Sequence, residues 1–148
     1  MVKDYNKNIK KLSKLQRRKV ETPVDFAVMV KGKRKEMKLG EFPTKYIIYD
    51  IGKETQEEYI QEIKKARAIY MKGPAGFCGY KGFCKGTRAL LMAIAKNKGF
   101  SLIGGGHLSD AIKQTKTNKS KFNHISLSGG ALLRYVAGEK LPGLEALK

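Results

Sequence analysis

The chain has 148 residues, of which 41% are hydrophobic and 30% are charged, so it is long enough for one globular domain and wholesale disorder is excluded. Thirty-one Lys and Arg residues against thirteen Asp and Glu leave a net charge of +18, which attracts phosphates, nucleic acid or an anionic membrane surface. No apolar run approaches the roughly 20 residues that span a bilayer, and no signal-peptide core follows Met1. Two cysteines cannot build a disulfide framework, so we expect a soluble intracellular protein that meets anions.

Residues 1–20 form a basic N-terminal segment with eight Lys or Arg side chains and a single acidic one, Asp4. Its apolar residues recur at steps of three and four, which predicts an amphipathic helix. They are Val2, Tyr5, Ile9 and Leu12. A basic amphipathic helix can bind nucleic acid or a membrane surface. The commoner alternative, which we favour, is a solvated helix whose apolar stripe packs on the rest of the protein.

A hairpin and a third strand are predicted next. Val24, Phe26, Val28 and Val30 alternate with other residues, a turn follows at 31–33, and a second short run covers 36–39. The compact β-branched and aromatic run 46–50 then predicts a buried strand.

From Gly52 onward, segments with the helical spacing of apolar residues alternate with short apolar runs typical of strands. Thr55 and Glu58 match a capping box, so a helix is predicted over 55–66. The later strands are predicted at 68–71, 100–103 and 124–126. The later helices are predicted at about 85–98, at 107–115 and from Ser128 to Gly138. In the last helix, Leu132, Leu133 and Val136 should face inward. This order predicts an α/β fold, a Rossmann-like three-layer unit with a parallel sheet that starts near residue 46.

Three glycine-rich turns each follow a predicted strand and precede a helix. They are Gly73–Gly76, Gly104–Gly106 and Gly129–Gly130. Because the carboxyl ends of parallel strands meet at one edge of a sheet, these turns should line one rim, where backbone amides and helix starts can approach a phosphate. None of them matches a P-loop or a GxGxxG fingerprint, so the phosphate-binding scheme is a different one.

The motifs around these turns carry a family resemblance. They read Lys72-Gly73-Pro74-Ala75-Gly76-Phe77, then Phe83-Cys84-Lys85-Gly86-Thr87, Ile103-Gly104-Gly105-Gly106-His107, His124-Ile125-Ser126, Gly129-Gly130-Ala131 and the closing Gly138–Leu147, preceded by Pro23-Val24-Asp25 and Asp50-Ile51-Gly52. In this order and spacing they resemble phosphoglycerate kinase, from about residue 20 to the end. His107 after the glycine triplet resembles archaeal members in particular.

The resemblance implies a phosphotransferase of glycolysis in the cytoplasm, which moves a phosphoryl group from 1,3-bisphosphoglycerate to ADP, with Mg²⁺ on the nucleotide. It covers only the last third of the family, the second half of the nucleotide domain, so residues 21–148 would be a partial nucleotide-binding domain. The 3-phosphoglycerate would need the missing N-terminal domain. The ATP- or ADP-binding positions implied are Lys72, Gly73, Pro74, Gly79, Gly104, Gly105, Gly106, His107 and Leu108, and the catalytic ones Gly106, Gly129 and Gly130. No protein metal ligand is implied.

Several positions depart from the family pattern. Lys72 replaces an Asn near the nucleotide, and Gly79 replaces the Glu that holds the ribose. Leu127 and Ser128 alter the last glycine turn. We therefore expect phosphate binding to be kept, ribose recognition to be weakened, and the isolated chain to lack kinase activity. The alternative is a non-catalytic polyanion- or nucleotide-binding module that kept the fold; nucleic acid is allowed by the charge but not favoured, and membrane binding is not expected.

Individual side chains have simpler alternatives. His107 at a helix start is interpreted as functional, and His124 on a strand as structural. Cys78 and Cys84 are expected to be buried free thiols. Asp50 is interpreted as structural, and Lys85 fits either a nucleotide contact or a solvated helix start. Because the resemblance lacks neighbouring strands, the run 46–50 should be an edge that the N-terminal helix or a second copy of the chain covers.

Overall fold

The computed structural model describes residues 19–148, so the predicted helix of residues 1–20 lies almost wholly outside the described residues. The strands are β1 (Asp25–Val30), β2 (Lys33–Lys38), β3 (Ile48–Ile51), β4 (Ala68–Lys72), β5 (Phe100–Gly104) and β6 (His124–Ser126). The helices are α1 (Lys53–Lys65), α2 (Lys85–Lys96), α3 (Gly106–Gln114), α4 (Gly129–Val136) and α5 (Pro142–Glu145), with short 3-10 turns at Leu39–Glu41 and Lys119–Lys121. Every strand and helix predicted after residue 23 is present. None of the helices in this part of the chain is long and apolar enough to cross a bilayer.

The first sheet is antiparallel, with strand order β2–β1–β3. The predicted hairpin is confirmed; its two-residue turn, Lys31–Gly32, has φ angles of 47° and 76°, as tight hairpins require. The prediction that the run 46–50 joins the parallel sheet is wrong, because β3 pairs antiparallel with β1. The run 46–50 was also expected to be buried, and this is wrong at the start of the run, where Ile47 is 65% and Ile48 45% exposed.

The outer edge of β3 is partly covered by the loop that follows β4. The Phe77 amide donates to the Tyr49 carbonyl at 2.7 Å, and the Tyr49 ring packs against the rings of Phe77, Tyr80 and Phe83. A local loop therefore provides a hydrogen-bond donor to the free edge of β3, which we expected the N-terminal helix or a second copy of the chain to cover.

The second sheet is parallel, with strand order β4–β5–β6. The registers place Lys72 of β4 opposite Gly104 of β5, and Gly104 opposite Ser126 of β6. The predicted parallel α/β sheet is thus confirmed, and its three strands end at one level. The chain continues from each of these ends into a glycine-rich turn.

The main hydrophobic core lies between this parallel sheet and helices α2 and α3. Its buried members are Leu91, Ile94, Ile103, Leu108, Ala111, Ile112 and Phe122. Leu91 and Ile94 of α2 and Leu108, Ala111 and Ile112 of α3 recur at helical spacing on one face of each helix. Burying a Leu, Ile or Phe side chain contributes about 1.5–3 kcal/mol. The core therefore fixes the strand ends relative to the start of α3.

Asp25 of β1, rather than a residue of α1 itself, caps the start of α1. The Glu54 and Thr55 amides donate to its carboxylate at 3.0 and 2.8 Å, and the buried Thr55 hydroxyl accepts from the Asp25 amide at 3.1 Å. The predicted capping box of Thr55 and Glu58 is wrong, because Gly52 is the N-cap and the Thr55 side chain is used by β1. This exchange joins the antiparallel sheet to α1.

A buried ion pair joins the same sheet to α2. Arg34 of β2 donates from Nη1 to the Asp50 carboxylate at 2.7 Å; its side chain is 10% exposed and that of Asp50 is fully buried. The Gly86 amide of α2 donates to the same carboxylate at 3.0 Å. Asp50 is structural, as expected.

Two further expectations are corrected. Cys78 and Cys84 are not free thiols but form a disulfide, because the loop turns back and brings their Cα atoms to 4.3 Å. On α4, Leu132 is half-buried, but Leu133 and Val136 are 43% and 59% exposed rather than inward, because the described part of the chain covers that face only in part.

Replacing Arg34 with Met should strongly destabilise the protein. The Asp50 carboxylate would stay buried without its charged partner, so we expect the free energy of unfolding to fall by about 3–5 kcal/mol in urea titrations. Lys38→Met is the control, because Lys38 and its partner Glu54 are both more than half exposed, and it should cost no more than about 1 kcal/mol. Equal losses in the two variants would contradict a special role for Arg34.

The cap on α1 should make stability depend on pH. Burial alone would raise the pKa of Asp25, but hydrogen bonds from the Thr55 hydroxyl and from the Thr55 and Glu54 amides, with nearby Lys38, hold it below its ordinary value. A depressed carboxylate pKa stabilises the fold above the unfolded-state pKa of about 4, and this stability is lost as the pH falls through the folded-state pKa.

We therefore expect Asp25→Asn to weaken the loss of thermal stability as the pH falls below about 4. The control Asp110→Asn removes an exposed carboxylate on α3 and should leave the wild-type pH profile nearly unchanged. If the Asp25→Asn profile ran parallel to that of the wild type, the cap would not be the titrating group.

Candidate phosphate-binding site

The ends of the three parallel strands are joined by backbone hydrogen bonds. The Gly73 amide donates to the Gly104 carbonyl at 3.2 Å, and the Gly105 amide donates to the Ser126 carbonyl at 2.9 Å. The glycine-rich turns after β4, β5 and β6 therefore form one continuous rim, as the sequence predicts.

Helices α3 and α4 both begin at this rim, at Gly106 and Gly129. Ser109 is the first residue of α3 whose amide finds a backbone acceptor, the Gly105 carbonyl at 3.1 Å, and in the described chain the three amides before it have none. The same holds in α4 before Leu132, whose amide donates to the Ser128 carbonyl at 3.2 Å. Such free amides and the positive helix ends are the usual protein groups that bind phosphate.

The two helix starts lie unusually close together because both are made of glycine. A Cβ atom added to Gly129 would lie only 3.0 Å from the Gly105 Cα atom. Gly105 itself has φ of 105°, a left-handed conformation that L side chains rarely adopt. Glycine is thus required at position 105 by the positive φ of the turn and at position 129 by the close approach of α4.

Tyr70 of β4 supports the rim, and sequence reasoning missed it. Its hydroxyl donates to the Gly129 carbonyl at 3.3 Å, and its ring lies against Gly104, where an added Cβ would be 2.9 Å from the hydroxyl oxygen. Tyr70 looks in the sequence like an ordinary strand residue. Only the tertiary arrangement shows that it positions α4 against the end of β5.

Two basic side chains stand at the rim. Lys72 is exposed at the end of β4, level with Gly104, and His107 is exposed in the first turn of α3. Leu108 differs, because its side chain is fully buried in the core and only its amide is available to a ligand. Donors and positive charge are thus combined at this edge of the sheet.

Pro74 and Gly79 lie on the other side of the turn after β4. Pro74 and Phe77 line a depression beside β3, and a Cβ added to Gly79 would contact the Phe77 ring at 2.8 Å. Among the described residues no hydrogen bond joins Gly79 to the rim. The structure therefore brings together the glycine turns and Lys72, while Gly79 lies further along the loop after β4, against the Phe77 ring.

The turn after β6, with Leu127 and Ser128, differs from the family pattern and changes which of its groups can bind a ligand. The Ser128 amide donates to the Ser126 hydroxyl at 3.2 Å, so this N–H is satisfied within the turn. Leu127 is 78% exposed and contributes no polar group. The amides of Gly129 and Gly130 remain as the donors of this turn.

The remaining candidates lie apart from these donors. His124 is exposed on β6, and Lys85 is exposed at the start of α2. Within residues 19–148, no three His, Cys, Asp or Glu side chains come together in a way that could hold a metal ion. Asp25 and Asp50, the buried carboxylates, are committed to hydrogen bonds of the fold.

Comparison with known proteins identifies the family. The family model described as phosphoglycerate kinase matches residues 2–139. The chain belongs to the phosphoglycerate kinase family. It is 41% identical over 149 residues to phosphoglycerate kinase of Methanothermus fervidus, and 44% identical over 131 residues to that of Methanococcus maripaludis.

The match covers nearly all of this chain but only part of each relative. The alignment with the Methanothermus fervidus protein takes in 99% of this chain and 36% of that relative. The crystal structure of phosphoglycerate kinase from Pyrococcus horikoshii superposes with a TM-score of 0.85 at 40% identity, over 99% of this chain and 36% of that one. The structure from Coxiella burnetii gives a TM-score of 0.76 at 29% identity. The chain thus spans about a third of the length of these phosphoglycerate kinases.

Replacing Gly105 with Val should abolish phosphate binding while leaving the protein folded. A branched side chain at φ of 105° is strained and stands between the two helix starts, so we expect tripolyphosphate affinity to fall at least about tenfold and stability to fall by about 1–3 kcal/mol. Gly32→Val is the matched control, because Gly32 also has a positive φ and open space but lies in the distant hairpin turn. Unchanged binding in a folded Gly105→Val protein would place the site elsewhere.

Proposed function

We propose that this chain binds the phosphate groups of ATP or ADP at the rim formed by the starts of α3 and α4. The observation that carries the proposal is the contact of Gly129 with Gly105, which sets two helix N-termini side by side. Two sets of free amides and two positive helix ends favour a ligand with several adjacent negative charges. A nucleoside polyphosphate is such a ligand, and the relatives are named as kinases.

The proposed roles follow the positions of the donors. The amides of Gly106, His107 and Leu108 and those of Gly129 and Gly130 donate to phosphate oxygens, with Gly106, Gly129 and Gly130 nearest the group that is transferred. Lys72 and the imidazole of His107 add side-chain donors. Gly73, Gly104 and Gly105 shape the binding surface, and Pro74, which faces β3, is included through the resemblance alone. These assignments rest on the resemblance and on the exposed helix starts.

Mg²⁺ in this proposal is bound by the nucleotide rather than by this chain. The buried carboxylates of Asp25 and Asp50 already accept hydrogen bonds from the fold, and residues 19–148 hold no cluster of metal ligands. The ion would neutralise charge on the phosphates, while the glycine amides position them.

We further propose that the chain alone does not transfer a phosphoryl group. It spans about a third of its relatives, and the resemblance leaves the domain for 3-phosphoglycerate uncovered. Phosphoryl transfer depends on positioning both substrates and on excluding water by closure, so residues 21–148 would supply only the nucleotide side of a glycolytic phosphoglycerate kinase reaction. The resemblance to a glycolytic enzyme favours the cytoplasm as its location.

The second candidate is a polyanion-binding module without catalysis. It is favoured by the net charge of +18, and by Lys72 and Gly79, which replace a neutral nucleotide contact and the ribose-binding carboxylate of the family pattern. A polyanion such as nucleic acid would contact lysines over much of the surface, whereas a nucleotide would contact the rim alone.

Isothermal calorimetry of three ligands tests the proposed function. We expect tripolyphosphate and ATP to bind with similar affinity, and adenosine at least about a hundredfold more weakly, because the helix starts interact with phosphate while Gly79 offers the ribose no carboxylate. Gly105→Val should remove the binding of both phosphate ligands, and Gly32→Val should not.

The outcomes separate the two candidates. If adenosine bound as tightly as ATP, the proposal of a phosphate-directed site would be wrong. If single-stranded nucleic acid bound more tightly than ATP, lost affinity steeply with salt and was unaffected by Gly105→Val, the polyanion-binding candidate would replace it.

A further inference from the structure

The disulfide between Cys78 and Cys84 is a feature that the nucleotide proposal does not use. It closes the loop between β4 and α2 on itself, and Cys84 is the residue that precedes the first turn of α2. Both cysteines are half-buried, so each retains solvent exposure, and Cys78 packs at the margin of the main core. A reagent in solution can therefore reach a bond that holds the start of a core helix.

The closed loop supplies an acceptor to the buried ion pair. The Gly82 carbonyl, between the two cysteines, accepts from Arg34 Nη1 at 3.0 Å, and the same nitrogen donates to Asp50 at 2.7 Å. The guanidinium also lies 5.8 Å from the centre of the Phe83 ring. A buried Arg needs acceptors for its N–H groups. The position of this loop therefore affects the solvation of Arg34, the partner of the fully buried Asp50 carboxylate.

Packing alone holds the tip of this loop weakly. The Phe77 and Tyr80 rings contact each other at 5.1 Å between centroids, but they are 54% and 46% exposed. The tip is otherwise joined by two turn hydrogen bonds, from Tyr80 to Phe77 at 3.3 Å and from Phe83 to Tyr80 at 3.1 Å. Lys81 at the tip is exposed. Phe83 is buried and anchors one end of the loop, whereas the tip, residues 79–82, has besides these contacts only the Tyr80 ring against Tyr49 and the Gly82 carbonyl on Arg34. The disulfide adds a covalent constraint to this tip.

We propose that the Cys78–Cys84 pair is a redox-dependent clamp on this loop. A dithiol in solution reduces it by two thiol–disulfide exchanges: one thiolate attacks a cysteine sulfur and breaks the S–S bond, and the second closes on the mixed disulfide. The two cysteines leave as two thiols, the dithiol becomes a cyclic disulfide, and two electrons and two protons pass to the protein. Oxidation by a disulfide reagent reverses the step.

The two states differ in what the loop does for Arg34. In the oxidised state the clamp holds the Gly82 carbonyl on the guanidinium and shields the bond between Lys81 and Gly82. In the reduced state the loop tip opens, the guanidinium loses this acceptor, and the Lys81–Gly82 bond becomes accessible. Disulfides in reducing compartments are usually transient or redox-sensing, which fits a clamp of this kind.

Limited trypsin digestion with mass spectrometry tests the clamp on the full chain. Cleavage after Lys81 is compared with cleavage after Lys31, which precedes a glycine in an exposed hairpin turn and serves as an internal control. Adding dithiothreitol should accelerate cleavage at Lys81–Gly82 by about tenfold or more and cleavage at Lys31–Gly32 by less than about twofold, because cleavage follows the open population of each segment. A thiol assay should find no free thiol before reduction and two after it.

The double variant Cys78→Ser, Cys84→Ser provides the second arm. Its Lys81 cleavage rate should match that of the reduced wild type and should not respond to dithiothreitol. Two free thiols in the untreated, air-exposed protein, an unchanged Lys81 rate on reduction, or equal acceleration at Lys81 and Lys31 would each overturn the proposal, the last because it would signal global unfolding. If the double variant does not fold, the comparison of oxidised and reduced wild type still decides.

Discussion

The carboxylate of Asp50 is the point at which the parts of this protein meet. It accepts hydrogen bonds from Arg34 of β2, from its neighbour Ile51 in β3 and from Gly86 at the start of α2. A Cβ atom on Gly76 or Gly86 would collide with this carboxylate, so both positions need glycine. One buried charge thereby specifies the antiparallel sheet, the loop after β4 and the entry into α2 at the same time. Removing its partner is costly because the charge would remain.

The candidate site depends on a different part of the molecule, which this arrangement holds in place. Helix α2 carries Leu91 and Ile94 into the core that also contains Leu108 of α3. That core aligns the ends of β4, β5 and β6, and Tyr70 holds α4 against them. The candidate rim is therefore made of backbone whose position is fixed by apolar packing, and the donors it offers are amides and helix ends rather than reactive side chains.

Much of this could be predicted from the sequence because it depends on local patterns. The periods of two and of 3.6 residues predict the strands and helices, and glycine after each parallel strand predicts a common rim. The predictions that were wrong depend on contacts distant in sequence. Asp25 reaches the start of α1 from another strand and displaces the Thr55 capping box, and a looped-back chain pairs Cys78 with Cys84.

Other features cannot be derived from the sequence of the element in which they occur. Strand β3 pairs antiparallel with β1, and the amino-acid composition of β3 does not specify this partner. The role of Tyr70 appears only when α4 lies beside β5. The apolar face of α4 has the period of an inward face, yet it is exposed in the described protein, because a hydrophobic period predicts that a face needs a partner but not that the same stretch of chain supplies one.

Phosphate binding to the backbone amides of the two adjoining helix starts is what we propose for this protein. The most direct test is a two-dimensional amide NMR titration of the ¹⁵N-labelled chain with tripolyphosphate at physiological salt. We expect the largest chemical-shift changes at the amides of Gly106, His107, Leu108, Gly129 and Gly130, and all five should follow one binding curve. Changes spread over the lysine-rich strand β2 and the surface of α2, with these five amides unmoved, would contradict it and would indicate charge-driven binding without a built site.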